Sequence, residues 1–156
     1  MALLATELAV SRATLYRVVG SRDALLADAL WLLARRQLEA ARHTRRHSGA
    51  NGVIEVSRRF AADVRAAEPL RRFINAEPQT AARVLFTTAN AVHYRAVHAQ
   101  HEVFVEAGLT RAGLDVAYLY VRIVESVLFG ELFRGPRVDF AVAERALRAL
   151  LRPPAG

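Results

Sequence analysis

The chain has 156 residues, 53% of them hydrophobic, with no cysteine and a formal charge of +7 whose basic side is all arginine, since lysine is absent. That length allows one domain, or one small domain fused to another, with a core that needs no staples. Zero cysteines exclude a disulfide scaffold, thiolate catalysis and cysteine-ligated metal, and the expected compartment is the cytoplasm.

The apolar stretches 24–34 and 117–133 are broken by Asp28 and by Arg122, Glu125 and Glu131, short of the ~20 clean residues a membrane span needs. No positively charged segment leads into an apolar run after Met1, so no secretion signal is read. Arginine suits bidentate contact with phosphate, guanine or carboxylate, although an alanine- and arginine-rich chain also reflects coding bias. Residues 1–60 hold ten arginines against five acids, and the remainder twelve against ten, so the excess sits in the first third.

Helical periodicity runs throughout, as in Leu25, Leu26, Ala29, Leu30 and Leu33, and again in Leu119, Ile123, Val127 and Leu128. No alternating segment bounded by hairpin turns competes with it, and the fold class is all-α. The expected helices are 2–9, 12–19, 22–43, 53–67, 70–76, 78–87, 91–107, 115–134 and 139–152. Ser11 and Ser21 are expected N-caps, Asp23 favours the dipole of the helix it opens, and Gly20 separates two helices by one tight turn. Thr44 to Gly52 is the longest polar stretch and the expected boundary between residues 1–43 and 44–156. Pro69 and Pro78 suit first-turn positions, where proline loses no hydrogen bond.

Residues 3–26 carry the most information: a short helix, a tight turn through Val10 and Ser11, a second short helix from Arg12 to Val19, and a third from Arg22. Two short helices so joined form a helix-turn-helix, whose second helix enters the major groove of double-stranded DNA. Leu15 and Val19 share its apolar face. Arg12, Thr14, Tyr16 and Arg17 then project toward a duplex, arginine toward guanine O6 and N7, threonine toward a base edge, tyrosine toward a phosphate.

The string Leu8-Ala9-Val10-Ser11-Arg12-Ala13-Thr14-Leu15-Tyr16-Arg17, followed by Gly20-Ser21-Arg22-Asp23-Ala24-Leu25-Leu26, resembles the TetR family of bacterial repressors in order and spacing. The resemblance implies that Thr14, Tyr16 and Arg22 meet DNA, Tyr16 and Arg22 at the backbone, while Leu15 is core. Arg12, Ala13 and Arg17 complete the candidate DNA-facing set. Three departures accompany it. Ala9 stands where the family commonly has glycine, and so must tolerate an unfavourable dihedral or a different turn. Val18 and Val19 replace the aromatic or histidine pair that ends the family's recognition helix. Only ten residues precede Ser11, where the family carries a further helix and a basic arm. The expectation is that Met1 is a truncated or misassigned start and that Leu4, Leu8, Leu15 and Val19 lack cover on one side; if the short form is the real one, its specific operator affinity should be impaired. The second half resembles the QsdR-type branch of the same family, associated with regulating quorum-signal lactone breakdown, through Pro69-Leu70-Arg71-Arg72-Phe73, Glu77-Pro78 and Val121-Arg122-Ile123-Val124-Glu125-Ser126.

Arg122, Glu125 and Ser126 share one face of an otherwise apolar helix, either as polar anchors for a ligand or as an ion pair at a packing seam. His93, Tyr94, His98, His101 and Glu102 lie on another helix. No third ligand is placed by sequence, so no metal site is expected, and Tyr94 and His98 are candidates for a ligand pocket instead. Trp31, Phe60, Phe86 and Tyr118 are bulky residues that could enclose a small apolar molecule, as the resemblance implies. No catalytic motif and no cofactor site is read.

The apolar stripes of 115–134 and 139–152 suit a two-fold four-helix seam, so a homodimer is expected. The implied function is a transcriptional regulator, a repressor released from a palindromic operator by a small-molecule effector. The alternatives are a dimeric small-molecule-binding protein without DNA binding, and a small helical enzyme, which a cavity with converging perturbed acids or bases would favour.

Overall fold

The computed structural model describes residues 1–87, 92–133 and 135–152, and the described chain is helical with no strand. The helices are α1 (Ala2–Glu7), α2 (Arg12–Val19), α3 (Arg22–His43), α4 (Gly49–Ala66), α5 (Glu68–Ala76), α6 (Pro78–Ala82), α7 (Val92–Glu106), α8 (Leu114–Phe129) and α9 (Phe140–Leu150). A π-helical turn, Arg83–Thr87, follows α6, and a 3₁₀ turn, Gly130–Phe133, follows α8.

The first three helices begin where local chemistry starts them. The Ser11 hydroxyl accepts from the Thr14 amide at 3.0 Å, and the Ser21 hydroxyl from the Ala24 amide at 3.0 Å, each satisfying a donor that an open helix end leaves free. Gly20 closes α2 with φ +76° and donates its N–H to the Tyr16 carbonyl at 2.8 Å. Ala9 adopts φ +53° in the turn between α1 and α2. Of the two alternatives expected there, an unfavourable dihedral or a different turn, this is the first, and a side chain there costs about 1–2 kcal/mol.

The cover of this region is uneven. Ala5 and Leu15 are buried, Leu15 to 5% exposure, and Leu4 and Val19 are half-buried, so the turn makes a small core of its own. Leu3 and Leu8 remain exposed, and Val18 is 76% exposed.

The expected long loop is shorter than its composition suggests, because α4 starts at Gly49 rather than Val53. Glu55 reaches back to accept the amides of Arg46 (3.0 Å) and His47 (3.2 Å), and meets the His47 ring at Nδ1 (2.8 Å). These bonds hold the Glu55 carboxyl below its ordinary range, the His47 contact most of all. Gly52 is required within this turn, since a Cβ there would lie 2.2 Å from the His47 carbonyl oxygen. Pro69 and Pro78 stand in the first turns of α5 and α6, as expected. The segment expected as one helix over 78–87 changes register at Arg83, and the last turn of α8 tightens at Gly130, whose carbonyl accepts from the Gly135 amide at 3.0 Å.

Helix α4 is the centre of the body, packing on α3, α8 and α9, while α7 packs on α8 and α3. Val53, Ile54, Phe104, Tyr120 and Leu147 are sealed from solvent. The Phe104 and Tyr120 rings meet edge to face at 5.3 Å, a geometry favoured by their quadrupoles. Burial raises the Tyr120 phenol above its ordinary range, and its hydroxyl lies 2.9 Å from that of Ser57.

Candidate functional site

Helix α2 presents Arg12, Ala13, Tyr16, Arg17 and Val18 to solvent, with Tyr16 44% exposed. Leu15 and Val19 turn the opposite way, which is what an i, i+4 pair on a 100° helix wheel requires. Thr14 is half-buried, and its hydroxyl lies 2.9 Å from the Ser11 hydroxyl, so it belongs partly to the cap. Arg12 and Arg17 have no ion pair among the described residues.

Arg22 has a partner that no local reading supplies. Its guanidinium holds Glu77 in a bidentate pair at 2.7 and 2.9 Å, and this contact keeps the Glu77 carboxyl below its ordinary range. Asp23 pairs with Arg83 at 2.9 Å and Asp28 with Arg95 at 2.6 Å. Three ion pairs thus join the first half of α3 to the segment from α5 to α7, across 55 to 67 residues of sequence.

A cavity of about 320 Å³ lies between α3, α4, α5, the π-helical turn, α7 and α8. Helix α3 contributes Leu30, Trp31, Ala34 and Gln37 to its wall, and Phe60, Phe86, Leu128 and Phe129 close other sides. The Phe86 and Phe129 rings meet edge to face at 5.7 Å. Polar atoms enter through few residues. Ser57 is already bonded to Tyr120, and His93, 1% exposed, meets the Glu125 Oε1 through Nδ1 at 2.7 Å. The second Glu125 oxygen accepts from Arg122 at 3.2 Å. Burial drives the Glu125 carboxyl above its ordinary range, and the contacts with His93 and Arg122 oppose that shift.

Of the eight residues expected around a ligand, Trp31, Phe60, Phe86 and Glu125 line this cavity, and Tyr94, His98, Tyr118 and Arg122 do not. Tyr94 and His98 lie roughly 100° and 140° around α7 from His93, and both are exposed. Tyr118 sets its ring edge to face against His93 at 5.3 Å, outside the wall. Arg122 sits over the Tyr118 ring, 5.3 Å from its centroid, and reaches the site only through Glu125. Arg122 and Glu125 thus form the seam pair, and Glu125 also faces the cavity. His93 and Gln100 were not expected to line it. Their signal was the seven-residue spacing, which brings two polar residues back to the same stripe after two turns.

His93 and Glu125, the latter raised by burial, are the converging acid and base that an enzyme reading asks for. The His93 Nε2 meets no hydroxyl among the described residues, and no serine-histidine-acid arrangement is formed among them.

Residues 48–152 match the family model of the tetracyclin repressor-like C-terminal domain. The chain belongs to the TetR family. TetR-family proteins are transcriptional regulators, and the all-helical fold described above is theirs. Among solved structures the chain is similar to the R. erythropolis transcriptional repressor QsdR from TetR family, with a TM-score of 0.86 and 24% identity over 96% of this chain and 82% of that one. A likeness at that identity speaks for the fold. No curated protein matches the chain. Among the described residues no helix is long and apolar enough to cross a membrane.

Proposed function

We propose that this TetR-family regulator is a cytoplasmic, homodimeric repressor that holds a palindromic operator through α2 and releases it when a small-molecule effector occupies the cavity. One observation carries the reading: α3 is both a wall of the cavity and the helix whose first turn stands beside α2. Trp31 in the wall lies nine residues from Arg22, about 14 Å along the axis. An effector that tilts α3 moves the recognition helix with it, by no more than its difference in affinity for the two conformations allows.

In this reading residues 1–43 are the DNA-binding region, and 44–156 the regulatory and dimerisation domain. Arg12, Ala13, Thr14, Tyr16 and Arg17 face DNA; Arg22 reaches a phosphate after leaving Glu77. The exposed Leu114, Tyr118 and Leu119 of α8 and Val142 of α9 form the two-fold seam. Two recognition helices then meet successive major grooves about 34–36 Å apart.

Selecting duplexes from a random pool tests it. A palindrome should be retained at about 50 mM salt, where phosphate contacts are strong, and released when metabolite extract is added. A pool with no retained sequence would defeat the repressor reading. That outcome would instead favour a dimeric ligand-binding protein without DNA binding, a reading supported by the exposure of Leu3, Leu8 and Val18 around the helix-turn-helix.

A further inference from the structure

Beyond Gln37, Ser57 and Glu125, the polar side chains of the cavity wall lie along one stripe of α7. His93, Ala96 and Gln100 recur there at three and four residues, so the two polar members stand about 10 Å apart along the axis. Both are buried, and both carry a nitrogen without a partner among the described residues: Nε2 of His93 and Nε2 of Gln100. Buried polar groups are rarely left so, because an unpaired amide loses its water without compensation.

The charges of the wall are as informative. Among the described residues Glu125 is the one acid lining it, and no arginine does. Its two oxygens are already engaged, one by the His93 Nδ1 and the other by Arg122. An anionic ligand would meet a carboxylate in an apolar setting with no cation to receive it, and a cationic one would have to compete for an acid already engaged.

We propose that the effector is an uncharged, mainly apolar molecule bearing a carbonyl, hydroxyl or amide group that hydrogen-bonds to the Gln100 side chain, with the His93 Nε2 as a second polar point on the same stripe. This rests on the reading of the cavity as the effector site. The carboxamide of Gln100 offers a donor and an acceptor on adjacent atoms, so it serves either sense of hydrogen bond by rotating. In the tautomer that donates Nδ1–H to Glu125, the His93 Nε2 is left as an acceptor.

Calorimetric titration of the intact protein with butylbenzene, butyrophenone and phenylbutyrate tests the class. The first two differ by one carbonyl, and the third carries a carboxylate. Butyrophenone should bind most tightly and phenylbutyrate least. In Gln100→Leu, butylbenzene should still bind, which shows that the variant is folded, while the ratio of ketone to hydrocarbon affinity falls about tenfold, the effect of one lost hydrogen bond. A ratio unchanged by the substitution, or phenylbutyrate as the tightest ligand, overturns the inference and leaves the cavity as an effector site. Binding of none of the three removes the cavity itself, and the proposed release mechanism with it.

Discussion

The two ends of α3 lie in different kinds of protein. Beyond Trp31 it packs into a body whose centre is sealed, where Phe104, Tyr120 and Leu147 are shielded by four other helices. Before Trp31 it is joined to two short helices that bury only Ala5 and Leu15 while Leu3, Leu8 and Val18 stay in water. The helix-turn-helix is therefore held less by burial than by caps, while ion pairs tie the first half of α3 to distant segments. Elements held this way open at low free energy, which suits a part that must move.

Substitution in each region should break this contrast or sharpen it. The largest effect is expected from Phe104→Ala, which should lower the stability of the body by about 3–5 kcal/mol in urea unfolding. Leu15→Ala should leave that transition nearly unchanged while amide exchange in α1 and α2 quickens. A common loss of cooperativity in both variants would show that the regions fold as one.

Next come the contacts proposed for DNA. Arg12→Ala or Arg17→Ala should weaken operator binding by about 1–3 kcal/mol where the side chain reads a base. Arg22→Ala should weaken all sequences alike and reduce the salt slope by about one unit. Gel shifts indifferent to all three would discredit the assignment of α2.

Ala9→Gly acts in the other direction. Removing a side chain from φ +53° should stabilise the turn by up to about 1 kcal/mol, read as slower exchange of α1 amides with the body unaffected.

The smallest effect concerns pH. Glu77 is held below its ordinary carboxylate range by Arg22, so the pair's contribution is complete above the unfolded pKa and disappears as pH falls through the lowered folded value. Acidification should loosen α3 from the α5–α6 junction before the body melts, an order measurable by a spin-label distance between residues 19 and 76. Simultaneous loss of both would remove the distinction.

What the sequence made legible was local. The caps at Ser11 and Ser21 and the turn at Gly20 each depend on residues within one helical turn, and residue types suffice to read them, whereas the strain at Ala9 was one of two alternatives that the family resemblance left open. The start of α4 did not yield to the same reading, because Ser48, Gly49, Asn51 and Gly52 look like loop, while Glu55 reaching back to Arg46 and His47 organises them. The partner of Arg22 was beyond sequence for a plainer reason: Glu77 is 55 residues away. On α7 the difficulty was rotational. Histidine and tyrosine occur on several sides of that helix, and only its packing against α3 and α8 selects the stripe through His93 and Gln100 over the one through Tyr94 and His98.

The chain contains one tryptophan, and it is Trp31, in the cavity wall. Its indole emission therefore comes from a single known place, without a label and without background from a second fluorophore of its kind. Filling or emptying the cavity changes the polarity around that ring, so the molecule carries its own optical gauge of occupancy.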